Sequence, residues 1–184
     1  DGIKALRGVH TINLNFTSAT DEGVKALAGV HTIRLCETGV TDLSLKSLTD
    51  VHTIDLSHTL VTDEGIKLLT VVHSINVAYT GITNEGVRAL THVHTLGIRN
   101  CVHVTDEGAK VLKGVKFIDI YGTSCTPSIF KELYAVTFVS DSEFIDNYFK
   151  EEYLFYLEPP EKGYHSQSAN YPMSQDRIHF NNDD

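Results

Sequence analysis

The sequence predicts an α/β solenoid, in which short parallel strands form one sheet and a short helix follows each strand. Two observations support this: a Val-His-Thr-Ile-x-Leu segment recurs along the chain, and the apolar spacing within each period changes from two residues to three or four. The segments begin at Val9, Val30, Val51, Val72, Val93, Val115 and Val136. Successive starts lie 21 residues apart, except for one step of 22 after Val93. Because so short a unit cannot bury its own apolar faces, neighbouring units must stack.

Each unit begins with a strand. Ile54 and Leu56 alternate with polar residues, which is the pattern of a short strand with one buried face. The equivalent pairs are Ile12/Leu14, Ile33/Leu35, Ile75/Val77, Leu96/Ile98 and Ile118/Ile120. The extra residue of the fifth unit falls near Val102 and His103, and we expect a turn to absorb it.

A helix follows each strand, as the spacing of Ile66 and Leu69 indicates. A threonine precedes each predicted helix, namely Thr20, Thr41, Thr62, Thr83, Thr105 and Thr126. We expect each hydroxyl to accept a hydrogen bond from a first-turn amide, and the Asp or Asn that follows to complement the positive helix end. In the sixth unit Pro127 replaces that Asp, which predicts that Pro127 is the first helical residue.

The unit V-x-x-I-x-L-x-x-T-x-V-T-D-E-G-V-x-x-L resembles the leucine-rich repeat family over residues 1–139. The matching frame is Val51, Ile54, Leu56, Val61 and Leu69, with Thr59 where the family usually has Asn or Cys. The T-D-E-G-V variant is most similar to the ribonuclease-inhibitor-like and F-box-associated branch. The resemblance implies a right-handed solenoid bent into a horseshoe arc, with a parallel concave sheet and outer helices.

The same resemblance implies that the outward-facing strand residues form a concave recognition face. The outward-facing residues at equivalent positions of successive strands vary between units. Aromatic and Arg residues among them are the main candidates, because these residue types dominate the energetics of protein interfaces. The predicted partner-binding residues are Phe16, Arg34, Asp55, His58, Asn76, Tyr79, Arg99 and Tyr121. Exposed aromatic residues that only pair across neighbouring strands would produce the same pattern, so this alternative stays open.

Five histidines recur at the second position of successive units: His10, His31, His52, His73 and His94. Neighbouring strands lie about 4.8 Å apart, which predicts a ladder of side chains along one edge of the sheet. A zinc site needs three or four ligands that converge on one point, whereas a row does not converge, so we predict no metal site. Like charges in a row disfavour protonation, and we expect stability to fall as the pH drops through about 6.

Several functional classes are disfavoured by what the sequence lacks. It contains no G-x-S-x-G, H-E-x-x-H, P-loop or dinucleotide fingerprint, so we predict no enzymatic activity, no cofactor and no small-molecule substrate. The net charge of −9 argues against a nucleic-acid partner, and no apolar stretch approaches the roughly 20 residues of a membrane span. Cys36, Cys101 and Cys125 occupy non-equivalent positions, which favours reduced thiols and a cytoplasmic location.

The two ends differ from the repeats. Residues 1–6 match the second half of a unit, so we expect a fragment of a longer protein. Residues 140–184 contain ten acids, three bases and nine of the sixteen aromatic residues. We predict a C-terminal cap over 140–160 and a polar, loosely ordered tail over 161–184; an acidic aromatic motif displayed to a partner is the alternative.

The favoured function is a non-catalytic protein–protein interaction module that binds a partner on its concave face. Two narrower alternatives stay open. One is the substrate-recognition part of an F-box-type ubiquitin ligase adaptor, and the other is a structural or assembly scaffold protein from a virus or a protist.

Overall fold

In the computed structural model, which describes residues 2–133 and 136–138, seven parallel strands form one sheet in the order of the chain. The strands are β1 (Thr11–Asn13), β2 (Thr32–Arg34), β3 (Thr53–Asp55), β4 (Ser74–Asn76), β5 (Thr95–Gly97), β6 (Phe117–Asp119) and β7 (Thr137–Phe138). Thr11 pairs with Thr32, and every later pair keeps this position-for-position register through Phe117 and Thr137. The predicted α/β solenoid and its repeat register are therefore confirmed. The predicted cap and tail lie outside the described residues.

The helices that follow the strands are short. They are α1 (Asp21–Val24), α2 (Asp42–Leu45), α3 (Asp63–Ile66), α4 (Asn84–Ala89), α5 (Asp106–Ala109) and α6 (Ile129–Glu132). Segments of 3-10 helix cover Gly2–Leu6, Lys25–Leu27 and Leu112–Gly114. A unit of 21 residues leaves room for little more than one helical turn after its strand and turns.

The sixth helix begins two residues later than the sequence predicts. Pro127 is not the first helical residue, because a turn that leads from Thr126 precedes Ile129, whose amide donates to the Thr126 carbonyl at 3.1 Å. The Thr126 hydroxyl contacts Asp106 Oδ2 at 2.5 Å and the Ser128 hydroxyl at 2.6 Å. These contacts hold Thr126 against the preceding unit.

The core is a stack of aliphatic layers between the sheet and the helices. Each unit contributes its two inward strand residues and the apolar residues of its helix, and Ile54 and Leu56 are fully buried. The corresponding residues of neighbouring units form one continuous cluster from Leu14 to Val136. The alternation seen in the sequence therefore predicts the buried face correctly.

The aspartate of the T-D-E-G motif joins each unit to the next one. Asp63 Oδ1 accepts a hydrogen bond from the Thr83 amide at 2.8 Å, and Asp63 Oδ2 accepts one from the Thr83 hydroxyl at 2.7 Å. The same pair of contacts links Asp21 to Thr41, Asp42 to Thr62 and Asp106 to Thr126. We call this contact the aspartate clamp. The sequence interpretation assigned these carboxylates only to their own helix ends and missed it.

Three of the four threonines held by an aspartate clamp also cap a helix. The Thr41, Thr62 and Thr83 hydroxyls accept hydrogen bonds from first-turn amides, at 3.2 to 3.4 Å. The predicted caps at Thr20 and Thr105 are wrong, because neither hydroxyl accepts one. Asn84 stands in place of the aspartate before Thr105 and donates its amide to that hydroxyl at 2.9 Å. The Thr105 hydroxyl therefore accepts from the preceding unit, whereas the Thr41, Thr62 and Thr83 hydroxyls donate to their aspartates.

Candidate interaction surface

The concave face has a closed, polar floor. Thr32, Thr53, Ser74 and Thr95 form its first column, and none of them is more than 9% exposed. These side chains are short and lie side by side on adjacent strands, so little of them reaches the surface. A partner on this face would therefore meet the edges of the sheet more than its centre.

The second concave column closes the turns that follow the strands. Asp55 Oδ1 accepts from the Ser57 amide at 3.0 Å, and Asn76 Oδ1 accepts from the Ala78 amide at 3.1 Å. Asn13 and Asp119 make the same contact with the amide two residues further on. Burial raises the pKa of Asp55, against the lowering effect of the Ser57 hydrogen bonds and of the Arg34 charge.

Asp55 and Asn76, both predicted to bind a partner, are thus only 8% and 6% exposed. Their side chains are occupied by the turns, and their placement corrects the expectation that they point freely outward. Arg34 is half-buried beside Asp55. These three residues contribute to the floor of the face and to the turns rather than to a protruding surface.

A row of residues with left-handed backbone follows the strand ends. Phe16, Glu37, His58, Tyr79 and Asn100 have φ between 52° and 58°. Each of their amides donates to a carbonyl of the next unit, as from Tyr79 to Arg99 at 2.8 Å. This inter-unit bond fixes the turn, so the left-handed conformation repeats whatever the residue. Gly122 takes the same position in the sixth unit, with φ of 72°.

Exposed aromatic side chains stand along this row, and we name Phe16, His58, Tyr79 and Tyr121 the aromatic ridge. Phe16 is 71% exposed, Tyr79 is 47% exposed and Tyr121, which directly precedes Gly122, is 64% exposed. The His58 and Tyr79 rings stack face to face, with centroids 4.1 Å apart and an angle of 16° between their planes. Four of the eight predicted residues therefore form an exposed row at one edge of the sheet.

Arg99 links the ridge to the buried floor. Its guanidinium carbon lies 4.7 Å from the centroid of the Tyr121 ring, and its Nε donates to Asp119 Oδ2 at 2.9 Å. The Arg99 and Asp119 side chains are only 15% and 3% exposed. The guanidinium is therefore held in place by a buried carboxylate and supports the Tyr121 ring.

Two exposed apolar residues in the turns that follow the strands were missed by the sequence interpretation. Leu60 is 69% exposed and follows His58 by two residues, and Val102 is 56% exposed in the turn with the extra residue. The signal for Leu60 is its place in the repeat, since the equivalent positions in other units are Ser18, Gly39 and Gly81. A large apolar residue at a turn position that holds a small residue in other units indicates an exposed apolar side chain.

The opposite edge of the sheet, where the strands begin, displays the predicted row of histidines. We call His10, His31, His52, His73 and His94 the histidine ladder. Neighbouring rings stack with centroids 4.5 to 4.7 Å apart and with 9° to 16° between their planes. The sequence prediction of a ladder is confirmed. Partial burial lowers the pKa of His94, and the positive charges of His73 and Lys116 lower it further.

Within residues 2–133 and 136–138, no three His, Cys, Asp or Glu side chains come together as a metal-binding group. Cys36, Cys101 and Cys125 are free, and burial raises the pKa of each thiol. Over the same described part of the chain, none of the helices has the length and apolar character that crossing a bilayer requires.

Known proteins support the fold. A family model described as Leucine Rich repeat matches residues 68–90 and 89–113. An internalin (inlF) from Listeria monocytogenes has a similar structure, with a TM-score of 0.58 and 15% identity over 74% of this chain and 42% of the internalin. The TLR13–ssRNA13 complex gives a TM-score of 0.56 and 16% identity over 76% of this chain and 23% of that one. The chain spans less than half of either structure, and no curated protein matches it.

Proposed function

From the leucine-rich-repeat solenoid that this chain forms, we propose that it is a non-catalytic protein–protein interaction module and that its partner contacts the aromatic ridge. Solenoids of this kind use a surface built from many repeats, so one partner contacts several units at once. Phe16, His58, Tyr79 and Tyr121 belong to four different units and share one edge of the sheet.

One observation favours the ridge over any other surface: exposed aromatic residues occupy left-handed backbone positions. A residue other than glycine loses about 1–2 kcal/mol in that conformation, and only Asn, Asp and His adopt it at all readily. Folding alone would favour glycine, which is the residue found at position 122. Phe16 and Tyr79 instead place large rings in solvent at these strained positions. Strained positions with exposed rings are typical of binding sites.

The ridge is also preorganised for binding. Inter-unit hydrogen bonds fix the backbone at Phe16, His58 and Tyr79. The His58–Tyr79 stack and the Arg99–Tyr121 contact orient the rings of those residues. A partner therefore loses little free energy in ordering these side chains. We expect the removal of one ridge aromatic ring to cost about 1–2 kcal/mol of binding free energy, which is about tenfold in Kd.

The test compares partners captured by the full chain with those captured by two variants. The ridge variant combines Phe16→Gly, Tyr79→Gly and Tyr121→Ala. The control variant combines Leu43→Ser and Val71→Ser, which remove apolar side chains that are 53% and 58% exposed away from the ridge. A cytosolic extract is the first source of partners, because the three free thiols favour a reducing compartment.

We expect a specific partner to bind the wild type and the control variant, and to be lost from the ridge variant. The Kd for that partner is then measured with each single substitution. A partner that binds the ridge variant as tightly as the wild type would place the site elsewhere. An F-box-type adaptor role and a scaffold role stay predictions from the repeat pattern, and the identity of the captured partner distinguishes them.

A further inference from the structure

The histidine ladder has a geometry that a single repeat could not provide. Its four ring-to-ring distances of 4.5 to 4.7 Å make it about 18 Å long. The Nδ1 atom of each ring lies 3.1 to 3.2 Å from the hydroxyl of the next residue, from Thr11 in the first unit to Thr95 in the fifth. Each imidazole therefore keeps an orientation close to that of its neighbours, and together the five rings present a row of ring edges.

The charged groups beside the ladder are mostly basic. Lys116 follows His94 in the next unit, with its Nζ 5.1 Å from the centroid of Phe117, and Phe117 closes the ladder edge-on against His94 at 5.3 Å. Arg7 and Lys113 lie in the turns that lead into the first and sixth strands, and His92 lies in the turn before His94. Among the turns that lead into strands β1 to β6, Asp50 is the one acidic residue.

The remaining charges near the ladder belong to the second concave column. Asp55 and Asp119 are buried, and their carboxylates are held by Ser57 and by Arg99 respectively. Arg34 lies in the same column beside Asp55. Both carboxylates are thus held by hydrogen bonds within the fold, and Asp119 is also paired with the Arg99 guanidinium.

We infer that the histidine ladder is a docking surface for an acidic protein segment, and that acidification strengthens this binding. A histidine that takes up a proton becomes positively charged, so acidification favours positive charge along the row. Charges about 4.6 Å apart repel one another, and aligned carboxylates on a partner relieve that repulsion. Proton uptake and partner binding therefore strengthen each other. This inference does not depend on the ridge, which lies at the opposite edge of the sheet.

The arrangement favours an acidic polypeptide over a nucleic acid. The ring faces are occupied by neighbouring imidazoles, so no gap remains between the rings for a base to stack in. Protonated imidazole N–H groups and the exposed ammonium group of Lys116 are instead hydrogen-bond donors suited to carboxylates.

The probe is a rhodamine-labelled peptide of ten aspartates, and its Kd for the full chain is measured by fluorescence anisotropy at pH 7.5 and 5.5 at constant ionic strength. We expect the Kd to fall at least tenfold at pH 5.5. Calorimetry at pH 6.0, in two buffers of different ionisation enthalpy, should show the uptake of at least one proton for each bound peptide. Equal affinities at the two pH values, or no proton uptake, would overturn the inference.

Two matched variants separate the ladder from the general change in net charge. The ladder variant combines His31→Gln, His52→Gln and His73→Gln. The control replaces three other histidines of the sequence, His103, His165 and His179, with Gln. The ladder variant should show less than a twofold pH effect, while the control should keep the wild-type effect. Loss of the pH effect in the control, with the ladder variant unchanged, would contradict the inference.

Two further measurements cover the remaining outcomes. If circular dichroism shows that the ladder variant is unfolded, Lys116→Glu replaces it, because this exposed side chain leaves the stack intact and should weaken binding at pH 5.5. A ten-residue asparagine peptide and a ten-nucleotide oligo(dT) serve as competitors. Tighter binding of the oligonucleotide would overturn the choice of a protein partner, and equal binding of the asparagine peptide would overturn the role of charge.

Discussion

Replacing Asp63 with alanine should weaken the junction between the third and fourth units. The substitution removes both hydrogen bonds of one aspartate clamp, to the Thr83 amide at 2.8 Å and to its hydroxyl at 2.7 Å. The Thr83 hydroxyl also accepts from the Glu85 amide at 3.2 Å, so the first turn of α4 loses its orientation as well. Because a solenoid is stabilised by contacts between neighbours, damage at one junction affects the whole array.

The size of the effect follows from those contacts. A hydrogen bond to a charged group contributes about 1.5–3 kcal/mol, and the value for this partly exposed carboxylate lies at or below the lower end. Two such bonds give a loss of about 2–3 kcal/mol in the free energy of unfolding. For a chain of this length that corresponds to a fall of about 5–10 °C in Tm. Urea unfolding followed by circular dichroism measures the first quantity, and a thermal scan measures the second.

Two control substitutions make the reasoning refutable. Asp63→Asn should cost less than about 1 kcal/mol, because Asn84 keeps both contacts in the next unit: its Oδ1 accepts from the Thr105 amide, and its Nδ2 donates to the Thr105 hydroxyl. Glu64→Ala changes an exposed neighbour and should stay within about 0.5 kcal/mol of the wild type. If Asp63→Ala is no worse than Glu64→Ala, or if asparagine is as damaging as alanine, the clamp does not stabilise the junction.

Three further predictions concern other parts of the repeat. Gly86→Ala should destabilise the fold although alanine favours helices, because the added Cβ would lie 2.4 Å from Asp63 Oδ1. Unfolding measurements should show a smaller loss of stability when the same substitution is made in the Asp63→Ala background, and an unchanged loss would exclude this clash. Phe16→Gly should raise stability by about 1 kcal/mol by relieving the left-handed backbone, and a lower Tm would contradict this. Stability should fall as the pH drops below about 6.5, because the lowered pKa of His94 means that the unfolded chain binds the proton more tightly. Stability that is flat or rising from pH 7.5 to 5.5 would refute this, as would a His94→Gln variant whose stability depends on pH as steeply as that of the wild type.

The sequence alone determined the architecture of this protein. Ile54 and Leu56 show the strand period, Ile66 and Leu69 show the helical spacing, and the constant 21-residue step sets the register, since each signal depends only on which residues share a face. The histidine ladder was predictable for the same reason: identical positions in stacked units must lie one strand spacing apart.

What only the tertiary structure decided is how each unit meets the next one. Asp63 and Asn84 join units through atoms that lie about 20 residues away in the chain. Asp55 and Asn76 are buried because their side chains bond within local turns. The type of a residue does not reveal which of its possible partners it takes. The left-handed backbone at Phe16 and Tyr79 likewise arises from a hydrogen bond to the following unit, which overrides the preference of these residues for other conformations. Periodicity fixes which residues lie together, while the geometry of the stacked units decides which of them bond, which are buried and which remain exposed.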